Sequence, residues 1–245
     1  MVKLHHHARM SDGQARTDIR DELFDGPTAS VARRLVGATL TRVIPAGERD
    51  AGAVLRGRIV ETEAYLPIVD PACHGYRGPT PRTASLFGRP GFAYVYLIYG
   101  MYHCLNATTE PPGIGAAVLI RAMEPLEGIE AMRRRRGQST PIEGLACGPG
   151  NLCRALSIDL RCDCADLRSG SLTIEPAVDS PVEVAASSRI GLSSAQSWPL
   201  RFFDPKSPSV SPYRRRRPLK TAPRRADKVG KRTAASVDEL KPAVI

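Results

Sequence analysis

The stretch Gly91-Phe92-Ala93-Tyr94-Val95-Tyr96-Leu97-Ile98-Tyr99-Gly100-Met101-Tyr102-His103-Cys104-Leu105-Asn106 decides how the rest of the chain is read. β-Branched and aromatic residues, which suit extended strands, fill its first half. Glycine then follows Tyr99. A glycine at a reversal accepts φ > 0 without a Cβ clash, so the stretch reads as a β-hairpin. A tyrosine beside the turn glycine has no core to fill, and its ring is available to something outside the protein. The chain has seven Tyr, and all but Tyr213 lie between Tyr65 and Tyr102. They make either a sheet with an aromatic face or a stacking surface for a planar ring.

Upstream, Arg58-Ile59-Val60-Glu61-Thr62-Glu63-Ala64-Tyr65 alternates. With a period of two, Glu61, Glu63 and Tyr65 share a strand face. That face is either a solvated polar surface or a compact place for chemistry on a planar substrate. Residues 66–90, rich in Pro and Gly, form a long ordered loop that carries His74, Arg77, Thr80 and Arg82. Long ordered loops are often functional. Downstream, Gly115-Ala116-Ala117-Val118-Leu119-Ile120-Arg121-Ala122-Met123 reads as a buried strand with one charge. An unpaired Arg121 there would cost several kcal/mol. It needs a carboxylate, and the candidates are Glu61 and Glu63.

The remaining pattern places a helix at 28–35, capped by Thr28 or Ser30 and ended by Gly37. Strands are expected at 40–43, 52–65, 172–174, 182–184 and 200–203. Pro125 is expected to open a helix through Leu126, Ile129 and Met132. That helix would end in Arg133-Arg134-Arg135-Arg136-Gly137, where its dipole favours cations. The arginines either complement the dipole on a solvated face or contact phosphate. Gly148-Pro149-Gly150-Asn151 starts a short helix whose free N–H groups suit a phosphate.

The net charge is +10, of which residues 214–245 supply +8, from eleven Lys/Arg against three acids. That segment has almost no large apolar residue and is expected to be disordered. It serves either to bind polyanions without reading sequence or to keep the chain soluble. Residues 1–15 are a loose leader, and His5-His6-His7 a solvated tail rather than a metal site. The expected domain is thus 16–212, with a basic tail at 213–245. No long apolar run or signal peptide pattern occurs, so a soluble, intracellular protein without membrane contact is expected. The six cysteines would stay reduced in that compartment. Cys162-Asp163-Cys164 lacks the partners of a tetrahedral site, and neither metal nor cofactor is expected.

Several motifs, in order, resemble the alkyladenine (3-methyladenine) DNA glycosylases of the mammalian and bacterial type. They are Glu61-Thr62-Glu63-Ala64-Tyr65, Ala72-Cys73-His74-Gly75-Tyr76-Arg77-Gly78, Thr80-Pro81-Arg82 and Tyr94-Val95-Tyr96-Leu97-Ile98-Tyr99-Gly100-Met101. Further matches are Cys104-Leu105-Asn106, Leu119-Ile120-Arg121-Ala122, Glu124-Pro125-Leu126-Glu127-Gly128, Gly148-Pro149 and Pro199-Leu200-Arg201-Phe202. The resemblance covers roughly residues 20–212. It implies an α+β fold like the C-terminal domain of formyltransferases: a single mixed domain with a mainly antiparallel curved sheet, surrounding helices and a protruding hairpin. It also implies a monomeric base excision repair enzyme acting on double-stranded DNA that contains damaged purines, in the cytoplasm and nucleoid if the source is prokaryotic.

By the same resemblance Glu63 is the general base that activates water, and Arg121 helps place that water. Tyr65, His74 and Tyr96 sandwich a flipped base, and Asn106 discriminates against the exocyclic amino group of guanine. Tyr99, with Met101, wedges into the minor groove. Thr80, Arg82, Gly148 and Arg201 are the DNA backbone candidates. Flipping is required because the bond cannot be reached in a stacked base. Aromatic faces also hold a cationic alkylated ring better than a neutral one. Gly75 stands where serine is expected, which removes a hydroxyl near the pocket. No lysine falls among the matched pocket residues, so a monofunctional enzyme without lyase activity is expected. The rival reading is a non-catalytic binder of damaged or distorted nucleic acid on the same fold.

One geometric consequence follows. If Tyr96 and Asn106 share a pocket, a three-residue Tyr99-Gly100-Met101 loop pairing Ile98 with Tyr102 is expected, because an unbroken two-residue hairpin puts them on opposite faces; a bulge is the alternative that brings them to one face.

Overall fold

The structure, a computed structural model, describes residues 19–177 and 182–212. The expected leader with its His5–His7 run, and the basic tail from 213, lie outside the described residues.

The chain opens with a helical turn, α1 (Ile19–Glu22), and the amphipathic helix α2 (Thr28–Leu35), which buries Val31, Ala32 and Leu35. Neither Thr28 nor Ser30 caps α2. The N-cap is Pro27, and the Glu110 carboxylate accepts the Thr28 N–H (2.9 Å) and hydroxyl (2.7 Å) from across the fold. Helix α2 packs on β2, where the Thr62 hydroxyl donates to the Ala32 carbonyl at 2.8 Å.

The strands are β1 (Thr39–Val43), β2 (Val54–Tyr65), β3 (Ala93–Ile98), β4 (Tyr102–Thr108), β5 (Ala117–Glu127), β6 (Leu172–Glu175), β7 (Ala185–Ser187) and β8 (Arg201–Phe203). All belong to one antiparallel sheet. Its main order is β3-β4-β5-β2-β1-β6, and β8 joins β2 to β7. With its surrounding helices the fold is α+β, a single mixed domain, as expected. Two expected elements are displaced. Pro125 does not open a helix; it continues β5, paired with Gly57 at a register shift. An irregular strand position tolerates a residue without an N–H. The helix, α3 (Ile129–Arg136), starts only after Gly128, which is left-handed at φ 76°. The strand expected at 182–184 lies at β7, where pairing with β8 sets its register.

Strand β2 is central, and irregular pairing makes it serve two purposes. Its ladder with β5 shifts between Ile59 and Glu61, and again between Glu61 and Thr62. The first shift leaves Val60 unpaired on β2; the second leaves Arg121 unpaired on β5. Such bulges re-aim side chains. Ile59 and Ala64 therefore both reach the apolar core despite opposite parity, as do Ile120 and Met123 on β5. At the same place β2 exchanges its neighbour β1 for β8.

The β3–β4 hairpin has the expected register, Ile98 opposite Tyr102 and Tyr94 opposite Asn106. Tyr99 (φ 53°) and Gly100 (φ 68°) are both left-handed, as mirror-image hairpin turns require, and the Met101 N–H donates to the Ile98 carbonyl. The tip stands clear of the core, with Tyr99 76% and Met101 68% exposed. Helix α4 (Pro149–Ala155) follows Gly148 as expected and buries Leu152 and Cys153 under β4.

Candidate active site

Beside the hairpin lies a cavity of about 500 Å³. Strand β2 lines it with Tyr65, β3 with Tyr94, Tyr96 and Ile98, β4 with Cys104 and Asn106, and β5 with Leu119 and Arg121. The loop after β2 adds His74, the turn before α4 adds Gly148, and the segment after β7 adds Ile190 to Leu192. The structure thus brings Tyr65, His74, Tyr96, Asn106, Arg121, Tyr99 and Gly148 to one site. Met101 stands exposed at the adjoining tip.

Glu63 is fully buried immediately behind this wall. Its Oε2 accepts the Tyr65 hydroxyl (2.9 Å) and Arg121 Nη1 (3.1 Å), and its Oε1 accepts the Ile190 N–H (2.7 Å). Glu61 is held differently. Arg121 Nε (2.9 Å) and Arg201 Nε (2.7 Å) both donate to its Oε1, and the Ser211 N–H (2.8 Å) to its Oε2. Burial alone would raise both carboxyls. At Glu63 it prevails over Arg121 and the Ile190 N–H, and the pKa rises above the usual carboxylate range. At Glu61 the two guanidiniums and the Ser211 N–H prevail, and the pKa falls. The neighbouring carboxyls are thus shifted in opposite directions: Glu61 is favoured in its ionised form beside Arg121 and Arg201, while Glu63 holds its proton more tightly than a free carboxyl does.

The aromatic wall carries no charge. Burial holds the phenols of Tyr65, Tyr94 and Tyr96 well above their ordinary value. The atoms packed around His74, and then the charge of Arg82, depress its imidazole below the usual range. His74 Nδ1 lies 2.8 Å from the Tyr94 hydroxyl, and its ring meets Tyr96 edge-to-face at 4.6 Å. His74 and Tyr96 therefore form a single wall, with no space for a further ring between them. The Asn106 side chain donates to the Tyr94 carbonyl at 2.9 Å across the hairpin, which fixes its orientation at the cavity. Gly75 follows His74 with no room for a side chain: a Cβ there would lie 2.3 Å from the Gly115 carbonyl oxygen.

Among the backbone candidates, Thr80 is exposed, with its N–H donated to the Thr83 hydroxyl. Arg82 is also exposed and donates to the Leu97 carbonyl at 3.0 Å. Arg201 corrects the expectation. It is 3% exposed, and its guanidinium is consumed by Glu61, the Ser187 hydroxyl (3.0 Å) and the Ser211 carbonyl (3.0 Å). Buried, with all three guanidinium nitrogens donating inside the fold, Arg201 is part of the frame behind the site.

Sequence reasoning missed Tyr94, Asp70, Arg189 and the Ile190 N–H. Tyr94 had a signal, since it shares the parity of Tyr96. The others had none, because Asp70 and Arg189 meet across 119 positions of the chain.

Residues 22–208 match the family model described as Methylpurine-DNA glycosylase (MPG). A protein of Methanocella arvoryzae named putative 3-methyladenine DNA glycosylase is 48% identical over 196 residues, covering 78% of this chain and 94% of the relative. A Mesorhizobium japonicum protein of the same name is 49% identical over 185 residues, covering 75% and 85%. The DNA-3-methyladenine glycosylase of Mus musculus is 45% identical over 206 residues, covering 78% of this chain and 60% of the mouse protein. With its motifs gathered on one cavity and the match spanning most of its length, the chain belongs to the methylpurine-DNA glycosylase family.

Proposed function

We propose that the chain is a monofunctional DNA glycosylase that hydrolyses the N-glycosidic bond of alkylated purines in double-stranded DNA. 3-Methyladenine is its core substrate, with 7-methylguanine and the deaminated base hypoxanthine as extensions. The observation that carries this reading is Glu63, buried and raised in pKa, in contact with Tyr65 and Arg121 at the edge of a neutral aromatic cavity. An alkylated purine with positive charge is a good leaving group, and neutral rings receive it without repulsion. The flipped base rests against Tyr65 and the His74–Tyr96 wall, while Tyr99 fills the gap in the duplex. As the bond from C1′ to the purine nitrogen breaks, its electron pair leaves with the base and positive charge grows on the sugar. Glu63 stabilises that charge and takes a proton from the water that adds to C1′. Lys206 is the only lysine among the described residues, and it pairs with Glu183 on the surface at 3.2 Å, so no described lysine lines the cavity for a Schiff base. The enzyme acts as a monomer in the compartment that holds the DNA.

The test is base release from two duplexes, one with a hypoxanthine and one with N-methylated purines, by wild type and by Glu63→Gln. Release by wild type alone, with binding kept by the variant, supports the assignment. Release of methylpurines only restricts the site to cationic leaving groups. Tight binding to both duplexes without release would replace the enzyme with a binder of damaged DNA. Strand cleavage trapped by borohydride would overturn the monofunctional reading.

A further inference from the structure

We propose that the buried Asp70–Arg189 ion pair positions the catalytic carboxylate, holding the Ile190 N–H on Glu63 and the Tyr65 ring in place without touching substrate. The inference rests on the reading of Glu63 as the base. Arg189 is 3% exposed and Asp70 has no exposed surface. Arg189 Nη1 and Nη2 grip the two Asp70 oxygens at 2.5 and 2.8 Å, and Nη1 also donates to the Ala64 carbonyl at 2.9 Å. The guanidinium lies over the Tyr65 ring, 4.6 Å from its centroid. The next residue, Ile190, gives Glu63 its shortest hydrogen bond, at 2.7 Å. Asp70 in turn accepts the N–H groups of Leu66 and Ala72, shaping the chain that leads to His74.

A sealed ion pair is a poor device for stability, because desolvation offsets most of its attraction and apolar side chains of equal volume pack as well. What an apolar pair cannot supply is direction. The planar fork of arginine locks onto a carboxylate in one orientation, which lysine cannot reproduce. Here that orientation aims the adjoining N–H at Glu63. The groups facing Glu63 are Arg121 from β5, Tyr65 and Glu61 from its own strand, Tyr96 from β3, Cys104 from β4, and Arg189. The Arg189 charge is matched by Asp70, so Arg189 acts on Glu63 chiefly through the position of Ile190 and Tyr65.

The test is the pH dependence of single-turnover base release by full-length protein on the duplex that wild type cleaves. Arg189→Met alone leaves Asp70 buried and unpaired and is prone to unfold. The informative variants are therefore Asp70→Asn/Arg189→Met, which removes both charges, and Arg189→Lys, which keeps a cation on Asp70. In the folded variants duplex binding stays within about threefold of wild type. The acid limb of the rate profile moves up by about one pH unit, and release below it slows about tenfold, the effect of weakening one hydrogen bond to a carboxylate. A wild-type profile in either folded variant overturns the proposal. Glu63→Gln measured in parallel separates the two failures. Release retained by Glu63→Gln removes the base assignment itself, and with it this inference. Release lost there, with unchanged profiles in the Arg189 variants, removes only the positioning role.

Discussion

Tyr65→Phe removes one oxygen atom and asks how much of the basicity of Glu63 that oxygen sets. The Tyr65 hydroxyl donates to Glu63 Oε2 at 2.9 Å, one of three hydrogen bonds to the carboxylate. Phenylalanine keeps the ring over Arg189 and at the cavity, so base stacking is preserved. A hydrogen bond to a charged group is worth about 1.5–3 kcal/mol, and 1.36 kcal/mol corresponds to about one pKa unit. The lost bond favoured the ionised form, so its removal raises the Glu63 pKa further, by about one to two units. Burial already raises that value, so the protonated, inactive fraction then persists to a higher pH than in wild type. The assay is single-turnover base release as a function of pH. The expected result is an acid limb displaced upward by about one to two pH units, with a plateau at higher pH close to wild type. An unmoved limb would refute the coupling of Tyr65 to Glu63. A loss of rate equal at all pH values would show that the hydroxyl serves the substrate directly.

Other perturbations have equally definite outcomes. Arg201→Met takes one of two guanidiniums from buried Glu61 and should cost about 3–5 kcal/mol in urea unfolding. Glu61 is held below the usual carboxylate range, so its stabilising contribution is present above the unfolded-state pKa and is lost as pH falls through the folded-state value. Arg201→Met should therefore also flatten the acid dependence of stability; an Arg201→Met protein as stable as wild type would return Arg201 to the surface. Gly75→Ser drives a Cβ into the Gly115 carbonyl and should lower stability by about 1–3 kcal/mol, read from the urea midpoint, with excision falling as His74 shifts. An unchanged midpoint would mean that the loop yields freely. Tyr99→Ala should leave stability within about 0.5 kcal/mol, because the ring is exposed. It should weaken binding to lesion duplex by about 1–3 kcal/mol in a titration, and equal affinity would remove the wedge role.

Much of the site was written in local pattern. Alternation over residues 58–65 put Glu61 and Glu63 together, and the lone charge in the apolar 115–123 run required a carboxylate; the structure joins Arg121 to both. The Tyr99–Gly100 pair announced the hairpin, and a shared pocket for Tyr96 and Asn106 dictated the register of Ile98 with Tyr102. These inferences succeed because strand periodicity and the cost of a buried unpaired charge act through neighbours in the chain. The remainder depended on contacts between distant segments. Opposed bulges at Val60 and Arg121 let one strand face both core and cavity, yet a bulge leaves no mark in hydrophobic period. Pro125 looked like a helix start until the irregular pairing at Gly57 gave it a strand position. Arg201 looked like any basic residue in a matched motif, and only the closing of β8 on β2 buried it against Glu61. Asp70 and Arg189 carry no signal at all, because a salt bridge across 119 positions exists only after the chain has folded. The sequence by itself determined which chemical groups the site contains. Tertiary structure decided that the two carboxyls shift in opposite directions, because burial and the charge of the partners, one guanidinium at Glu63 against two at Glu61, and not residue type, set their pKa values.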